Sequence, residues 1–122
     1  MPNHARDAER YLPLTPATYY MLVSLAEGEK HGYAILRDVA RRTGGRVALN
    51  VGTLYAALRR LERDGLIVES GERPDPALDD ERRRYYALAP LGREVVVAEA
   101  RRMEEAVNLA RAARLLARPR PA

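Results

Sequence analysis

The chain has 122 residues, of which 47% are hydrophobic and 31% charged, so it is long enough for one domain with a core and too apolar for wholesale disorder. It contains no Cys and only two His, which excludes disulfides, a thiol nucleophile and thiolate or clustered-histidine metal sites. A net charge of +4 fits an anionic partner such as nucleic acid.

No apolar run approaches the roughly 20 residues that a membrane-spanning helix needs. The first thirteen residues also lack the apolar segment of a signal peptide. We therefore expect a cytoplasmic protein with no membrane partner.

The first half of the chain predicts a loose tail followed by two helices. Residues 1–13 are polar and contain prolines, and we expect them to be loosely ordered. Thr15 is placed to cap a first helix that Gly28 ends. A second helix is predicted from His31 to Thr43, and His31 itself is interpreted as a residue that packs or hydrogen-bonds at the helix start. Residues 47–49 form either a small strand or a connector.

The third predicted helix carries the clearest signals. Asn50 is placed to cap it, and Gly65 follows its last residues, where a left-handed conformation would end it. At about 100° per residue one face is apolar, and it consists of Leu54, Ala57, Leu58 and Leu61. The opposite face carries Gly52, Tyr55, Ala56, Arg59, Arg60 and Arg63, with Thr53 on its flank.

A β-hairpin is predicted next, with strands Leu66–Ser70 and Arg83–Leu88 joined by a polar loop. This order of elements is typical of a winged helix-turn-helix, in which the hairpin is the wing. The carboxylates of the loop would repel phosphate, so we expect this part to bend away; they are Asp75, Asp79, Asp80 and Glu81. Metal binding by them is disfavoured, because the loop lacks the turn glycine of a calcium loop.

A long last helix is predicted from Pro90 to about Ala117, followed by a disordered tail over residues 118–122. Its apolar residues form two stripes, whereas packing on one neighbour needs only one, so the second stripe indicates a partner chain. The predicted dimerisation residues are Leu91, Val95, Val96, Ala100, Met103, Val107, Leu109, Ala110 and Leu116.

Positive charge is concentrated around the third helix. Between residues 37 and 63, seven arginines stand against two carboxylates, a net charge of +5 that exceeds the charge of the whole chain. Recognition helices enter the major groove with their N-terminal end first, and arginine suits phosphate and guanine. The predicted DNA-binding residues are Tyr33, Asn50, Gly52, Thr53, Tyr55, Arg59, Arg60, Arg63, Arg82, Arg83 and Arg84. The alternatives are a solvated arginine face and, for Tyr55, a half-buried anchor.

Several motifs together carry a family resemblance. They are His31-Gly32-Tyr33, then Gly52-Thr53-Leu54-Tyr55 with Leu58 and Leu61-Glu62, then Gly65-Leu66-Ile67, and Arg84-Tyr85-Tyr86 through Leu88 to Gly92. From Leu14 to about Leu116 the chain resembles the PadR family of transcriptional regulators, in its short form with one C-terminal helix. The resemblance implies a homodimeric repressor that binds an inverted repeat and often responds to a small aromatic or drug-like compound. It places DNA contacts on Thr53 and Tyr55 and the wing base on Arg84.

The chain departs from the family pattern at three points. Ala56 stands where the family usually has proline, and Ala89 stands where a threonine usually caps the last helix. The chain has no Trp, whereas drug-sensing members stack their ligands between tryptophans. The candidate effector pocket is therefore smaller, formed by Tyr19, Tyr20 and Met103, and the alternative is that these three are ordinary core or dimer packing.

The sequence therefore predicts a mainly α fold with a small β-hairpin, namely a winged helix-turn-helix over residues 14–89 and a dimerisation helix over 90–117. We expect a homodimeric repressor that binds double-stranded DNA, without a cofactor or a metal. The alternative is a winged-helix module that binds proteins and has no operator. An enzyme is disfavoured because His31 has no plausible Ser and Asp partners and no phosphate-binding glycine loop is present.

Overall fold

The computed structural model describes residues 4–74 and 82–117, and within them it is mainly helical with one small sheet. The elements in chain order are α1 (His4–Glu9), α2 (Pro16–Ala26), β1 (Lys30–His31), α3 (Gly32–Arg42), α4 (Val51–Arg63), β2 (Ile67–Pro74), β3 (Arg82–Leu88) and α5 (Pro90–Ala112). The predicted fold class is confirmed. Residues 47–49 lie outside these elements and connect α3 to α4.

Three helices begin at side chains that cap them. The hydroxyl of Thr15 accepts from the Thr18 N–H at 3.2 Å, and the Asn50 side chain accepts from the Thr53 N–H at 2.7 Å. Nδ1 of His31 accepts from the backbone N–H of Ala34 at 3.0 Å, so His31 is the cap of α3 and not its first residue. Each cap satisfies a backbone donor that has no partner within its helix.

The end of α4 also follows the sequence prediction. Gly65 adopts a φ of 78°, in the left-handed region that glycine enters without steric cost. The next N–H, that of Leu66, then donates to the carbonyl of Leu61 at 2.9 Å. This closure turns the chain directly from α4 into the hairpin.

The sheet has three antiparallel strands in the order β1-β3-β2. The short strand β1 was not predicted, and it pairs Lys30 with Tyr86 and His31 with Tyr85. β2 extends to Pro74, beyond its predicted end at Ser70, because a bulge between Glu69 and Gly71 lets pairing continue. The acidic loop residues Asp75, Asp79, Asp80 and Glu81 lie outside the described residues.

The N-terminal segment corrects one expectation. Instead of a loose tail, it forms α1, which packs against α5. Ala8 is only 1% exposed, and Tyr11 and Leu12 also pack against the core. Apolar burial at these three positions outweighs the polar character of the segment.

The core lies among α2, α3, α4, the sheet and the first half of α5. The backbone of α5 lies very close to Leu66 at Gly92. An added Cβ at Gly92 would lie 1.9 Å from the carbonyl oxygen of Leu66. That carbonyl also accepts from the Ala89 N–H at 3.0 Å, and Ala89 supplies no side-chain cap to α5. Gly92 therefore lets α5 pack directly on the chain where it leaves α4.

The two halves of α5 differ. Val95 and Val96 are buried within the single chain, which corrects their assignment to the dimer surface, and Leu91 packs against the same core. Residues 101–117 contain no fully buried side chain. The helix ends at Ala112, five residues before the predicted end, because Arg114 turns into the left-handed region with a φ of 62°. The predicted tail over residues 118–122 lies outside the described residues.

Glu99 is a buried carboxylate on the same helix, and it is 1% exposed. It accepts a hydrogen bond from the backbone N–H of Leu14, in the segment between α1 and α2, and forms an ion pair with Arg102. Burial alone would raise its pKa, but the hydrogen bonds from Arg102 and Leu14 lower the pKa below its ordinary value. Glu99 thus attaches α5 to the start of α2.

No helix within residues 4–74 and 82–117 has the length and apolar character that would let it cross a membrane.

Candidate nucleic-acid interface

α4 has the two faces that its sequence predicts. Its buried residues are Leu54, Ala57, Leu58 and Leu61. Gly52, Thr53, Arg59, Arg60 and Arg63 are exposed on the remaining surface. A helix with one apolar face and several exposed arginines can present its outer face to a polyanion.

The N-terminus of α4 is open to a ligand. The side chain of Asn50 is occupied as the helix cap, so it orders the first turn. Gly52 is exposed, and an added Cβ would meet only the Asn50 Oδ1 atom, at an ordinary 3.5 Å. The fold therefore does not require a glycine here, and its small size leaves room for close approach from outside.

Tyr55 is half-buried and packs on Gly32 at the start of α3. A Cβ at Gly32 would lie 3.1 Å from the Tyr55 hydroxyl and 3.2 Å from its ring, which is tighter than most such contacts. The glycine of the His31-Gly32-Tyr33 motif therefore makes space for the tyrosine of the motif in α4. This packing fits the alternative interpretation of Tyr55 as an anchor, although its side chain also borders a cleft.

The cleft lies between α4, the start of α3 and β3. Its lining residues are His31, Gly32, Tyr55, Arg59, Arg83, Arg84 and Tyr86. Three arginines from two elements thus line one cleft together with Tyr55. This is the largest concentration of predicted site residues that the structure brings together, and its charge suits phosphate.

Two other arginines of α4 have partners within the chain. Arg60 donates to the hydroxyl of Thr18 in α2 at 3.2 Å, and Thr18 in turn bonds the capping hydroxyl of Thr15. Arg63 lies 3.8 Å from Asp64 and is 73% exposed. Arg60 therefore helps to hold α4 against α2, whereas the surroundings of Arg59 leave it directed at the cleft.

Tyr33 lies between two arginines on the outer surface. Its ring is 5.5 Å from the Arg37 guanidinium and 5.1 Å from that of Arg83, within the range of cation–π contacts. Tyr33 therefore joins α3 to strand β3 of the wing. The side chain of Arg82 lies outside the described residues, and the backbone of Arg82 pairs with Pro74.

Arg84 is in a more acidic environment than its sequence neighbours suggest. Its Nε atom is 3.8 Å from Glu69 and 3.6 Å from Glu72, both on β2. These carboxylates, Glu69 foremost, raise the pKa of Arg84. Part of its charge is thus already balanced within the wing.

The candidate effector residues do not form a closed pocket within one chain. Tyr19 and Tyr20 pack edge to face, with ring centroids 5.3 Å apart, and both lie against the core. Met103 is half-buried on α5. A separate cleft of about 520 Å³ lies between α1 and α5, with Ala8, Leu12, Val97 and Ala98 among its lining residues, and none of the three candidates lines it.

The far half of α5 and the residues that follow it expose apolar side chains. Leu109 is 73% exposed, Leu115 76% and Leu116 50%, and Val107 is exposed as well. Ala100 is exposed, while Met103 and Ala110 are half-buried. Of the predicted dimerisation residues, those beyond Glu99 therefore remain accessible to another molecule.

Two residues near the wing were not identified from the sequence. Arg73 was assigned to the loop because β2 was predicted to end at Ser70, and Glu29 stood outside every predicted element. In the structure they form an ion pair that links the turn before β1 to the strand β2. The sequence signal that could have indicated Arg73 is Gly71, since a glycine within a strand pattern often marks a bulge.

Within residues 4–74 and 82–117, no group of three acidic or histidine side chains is placed to hold a metal ion.

Comparison with known proteins identifies a family. The family described as "Transcriptional regulator PadR-like family" matches residues 21–98 of the chain. The transcriptional regulator Rv3488 of Mycobacterium tuberculosis is 38% identical over 86 residues, which cover 70% of this chain and 74% of that protein. An uncharacterized 37.1 kDa protein in transposon TN4556 of Streptomyces fradiae is 38% identical over 87 residues, which cover 71% of this chain but only 23% of that protein.

Solved structures with the same fold include two that cover most of this chain. A transcriptional regulator from Clostridium thermocellum matches with a TM-score of 0.59 and 25% identity, over 92% of this chain and 99% of that one. PadR of Bacillus subtilis in complex with operator DNA matches with a TM-score of 0.51 and 17% identity, over 86% of this chain and 49% of that one. The second likeness concerns the fold alone.

Proposed function

The chain belongs to the PadR-like family of transcriptional regulators, which are not enzymes, and from this premise we propose that it is a sequence-specific DNA-binding repressor. We further propose that it acts in the cytoplasm as a homodimer on an inverted repeat. The fold likeness to a regulator bound to operator DNA supports this proposal.

The observation that carries the proposal is the cleft between α4 and the wing. Arg59 from α4 and Arg83 and Arg84 from β3 converge there, and Gly52 is exposed on the first turn of the same helix. A helix that enters a major groove by its N-terminus would carry this cleft onto the adjacent backbone. The wing would then reach the flanking phosphates or the minor groove, where arginine is favoured.

We assign the residues two kinds of role. Thr53 and Tyr55 lie nearest the base edges, and Arg59 and Arg83 contact phosphate. Arg60 serves first to hold α4 on α2 through Thr18, so we expect its loss to affect stability as well as binding. Glu69 and Glu72 lie beside Arg84 and balance part of its charge, so we expect it to contribute less to phosphate binding than its exposure suggests.

A homodimer is supported by the exposed apolar side chains of α5 and of the residues that follow it. Leu109, Leu115 and Leu116 extend beyond the core of one chain, and an exposed apolar surface of this kind is typical of a protein interface. The cleft between α1 and α5 combines apolar and charged lining residues, and such a helix could cover its apolar part. Two-fold symmetry then requires inverted half-sites about one helical turn apart.

A small aromatic or drug-like effector, if one acts on this protein, would bind between the two copies beside Met103. Tyr19 and Tyr20 pack on the core of one chain, which favours a packing role for them. Titration of such compounds into the protein–DNA complex tests this part of the proposal by loss of binding.

The function is tested by selecting bound sequences from a random pool of DNA duplexes. We expect an inverted repeat, and binding of the recovered duplex should fall steeply as salt rises, because phosphate contacts release counterions. Arg59→Ala and Arg83→Ala should each weaken binding by about tenfold and lower the salt slope by about 1. Arg93→Ala, an exposed arginine on the first turn of α5, is the matched control. A selection that enriches no sequence would contradict the proposal and favour a protein-binding module.

A further inference from the structure

Two arginines face each other directly across the wing, near the end of its two strands. In the register of β2 and β3, Arg73 is paired with Arg83. Like charges at opposed positions destabilise a hairpin. The third strand gives no support here, because β1 pairs only with Tyr85 and Tyr86. The two-stranded part of the wing therefore begins with the pair of Glu72 and Arg84 and continues to a repulsive pair near the loop, which needs other contacts to keep its position.

Glu29 supplies one of these contacts from the turn between α2 and β1. Its carboxylate forms an ion pair with the Arg73 guanidinium. Hydrogen bonds from Arg73 and then from Ser70 lower the pKa of Glu29 to about 2, so it is ionised at every ordinary pH. Both donors belong to β2, and one of them is the bulge residue itself.

The bulge explains how Arg73 reaches this carboxylate. Ser70 is the unpaired residue between Glu69 and Gly71, and Gly71 has a φ of 128°. A bulge bends its strand and increases the local twist. Arg73 consequently lies over the Tyr85 ring, with its guanidinium 4.4 Å from the centroid, while its charged end meets Glu29.

The contacts continue into the helix-turn-helix on both sides. The Tyr85 ring meets His31 edge to face at 5.4 Å, and His31 caps α3. The ring of Tyr33, in α3, lies 5.1 Å from the Arg83 guanidinium. The opposed arginines are thus held from one side by Glu29 and from the other by Tyr33.

We propose that Glu29 is a positioning residue that fixes the angle of the wing through Arg73, so that an acidic side chain strengthens the binding of DNA. This inference rests on the proposed DNA-binding function. Without Glu29, Arg73 loses the carboxylate that holds its guanidinium, and the wing spends less time where Arg83 can contact the DNA backbone.

A different role for Arg73 predicts the opposite effect of Glu29 on DNA affinity. If Arg73 bound phosphate directly, Glu29 would compete with DNA for it. Loss of the carboxylate would then free the arginine, remove a negative charge and tighten binding. The effect of Glu29→Gln on affinity therefore distinguishes a positioning pair from a masked phosphate contact.

The first experiment measures binding of the selected duplex, or of a random 30-base-pair duplex at low salt, by fluorescence anisotropy. We expect Glu29→Gln to weaken binding by about three- to tenfold, the size of effect expected when a wing contact is partly lost. Glu27→Gln is the matched control, since Glu27 lies two residues earlier and pairs with Arg42 instead of the wing. It should bind as tightly as the original chain or slightly more tightly. Equal or tighter binding by Glu29→Gln would overturn the inference.

Double substitutions distinguish an effect of Glu29 on the position of the wing from a general effect of its charge on DNA binding. Glu29→Gln combined with Arg83→Gln should cost less than the sum of the two single losses, whereas Glu29→Gln combined with Arg59→Gln should be additive. Exchanging the pair, Glu29→Arg with Arg73→Glu, should recover part of the affinity that Arg73→Glu alone loses. Additivity with Arg83 would contradict the positioning role.

Amide hydrogen exchange without DNA tests the same pair independently of the proposed function. Exchange at Arg73, Arg83 and Arg84 should be faster in Glu29→Gln than in Glu27→Gln, while exchange in α4 should be unchanged. If the original chain binds no duplex, the proposed function fails. If it binds but exchange in the wing does not change, the inference alone fails.

Discussion

Glycines in the shared motifs serve different purposes, which the surrounding atoms reveal. At Gly92 an added Cβ would meet the Leu66 carbonyl at 1.9 Å, a distance that no side-chain adjustment can relieve because the obstacle is backbone. At Gly52 the same atom would meet only a cap oxygen at 3.5 Å. One glycine is therefore required by the fold, and the other is free to serve a contact outside the chain.

Gly52→Ala should separate stability from binding. We expect the free energy of unfolding to stay the same or rise by about 0.5 kcal/mol, because alanine is a better helix former. Binding of the selected duplex should weaken by about tenfold, since the new methyl group holds the helix away from the DNA; this corresponds to roughly 1.4 kcal/mol. Urea unfolding and anisotropy measure the two quantities.

Gly92→Ala is the comparison for that experiment. It should lower the free energy of unfolding by about 3 kcal/mol or more, because α5 must move away from Leu66. A stable Gly52→Ala protein with unchanged DNA affinity would contradict the assignment of Gly52 to the interface.

Helices that have a capping residue at the start and a glycine at the end could be predicted from the sequence. α4 is specified by Asn50 at its start and Gly65 at its end, and both work as expected. The strand β1 and the extension of β2 could not be predicted, because they depend on pairing with β3 and on a bulge. The helix α1 was not predicted because it is stabilised by packing on α5. Its own six residues are largely polar and give no signal of that packing.

The residues of the candidate site likewise fall into those that local sequence patterns predict and those that depend on tertiary contacts. Exposed arginines on α4 follow from helical periodicity, so Arg59 and Arg63 could be placed on the outer face. The contacts of Arg60 with Thr18 and of Arg73 with Glu29 join residues far apart in sequence. No periodic pattern contains that information, and only the tertiary structure reveals which arginines already have partners.

The attachment of α5 to α2 through Glu99 should depend on pH. Its folded pKa lies below the ordinary value of 4.5. The carboxylate therefore stabilises the fold fully above that value, and this contribution is lost as the pH falls through the folded pKa. Glu99→Gln should cost about 1–3 kcal/mol at neutral pH, since the ion pair with Arg102 and part of the bond to Leu14 are lost.

Urea unfolding at pH 7 and at several values below pH 4.5, at one protein concentration, measures this effect. The difference between Glu99→Gln and the original chain should shrink as the pH falls. Glu104→Gln, an exposed carboxylate on the same helix, should show no comparable change. A penalty for Glu99→Gln that is equal at pH 3 and pH 7 would mean that packing, not charge, sets its role.

At the scale of the whole molecule, the two halves of α5 differ in burial. The first half of α5 belongs to the core, whereas residues 101–117 bury no side chain fully. The helix has 23 residues, about 35 Å at 1.5 Å per residue, which is long for a domain of this size. The exposed leucines at its far end face water unless another molecule covers them.

The exposed end of α5 leads to a prediction about the proposed second copy of the chain. The chain should sediment at twice its mass of 13.7 kDa, and its unfolding temperature should rise with concentration. Leu109→Asp should yield single copies, because a charge would be buried at the interface without a partner, while the fold persists since Leu109 is 73% exposed in one chain. Asn108→Asp, which adds the same charge at the next position, should remain dimeric. Leu109→Asp should also lose affinity for the inverted repeat while a single half-site is bound as before. Sedimentation of the original chain as a single copy, or of Leu109→Asp as a dimer, would contradict the assignment of α5 to the interface.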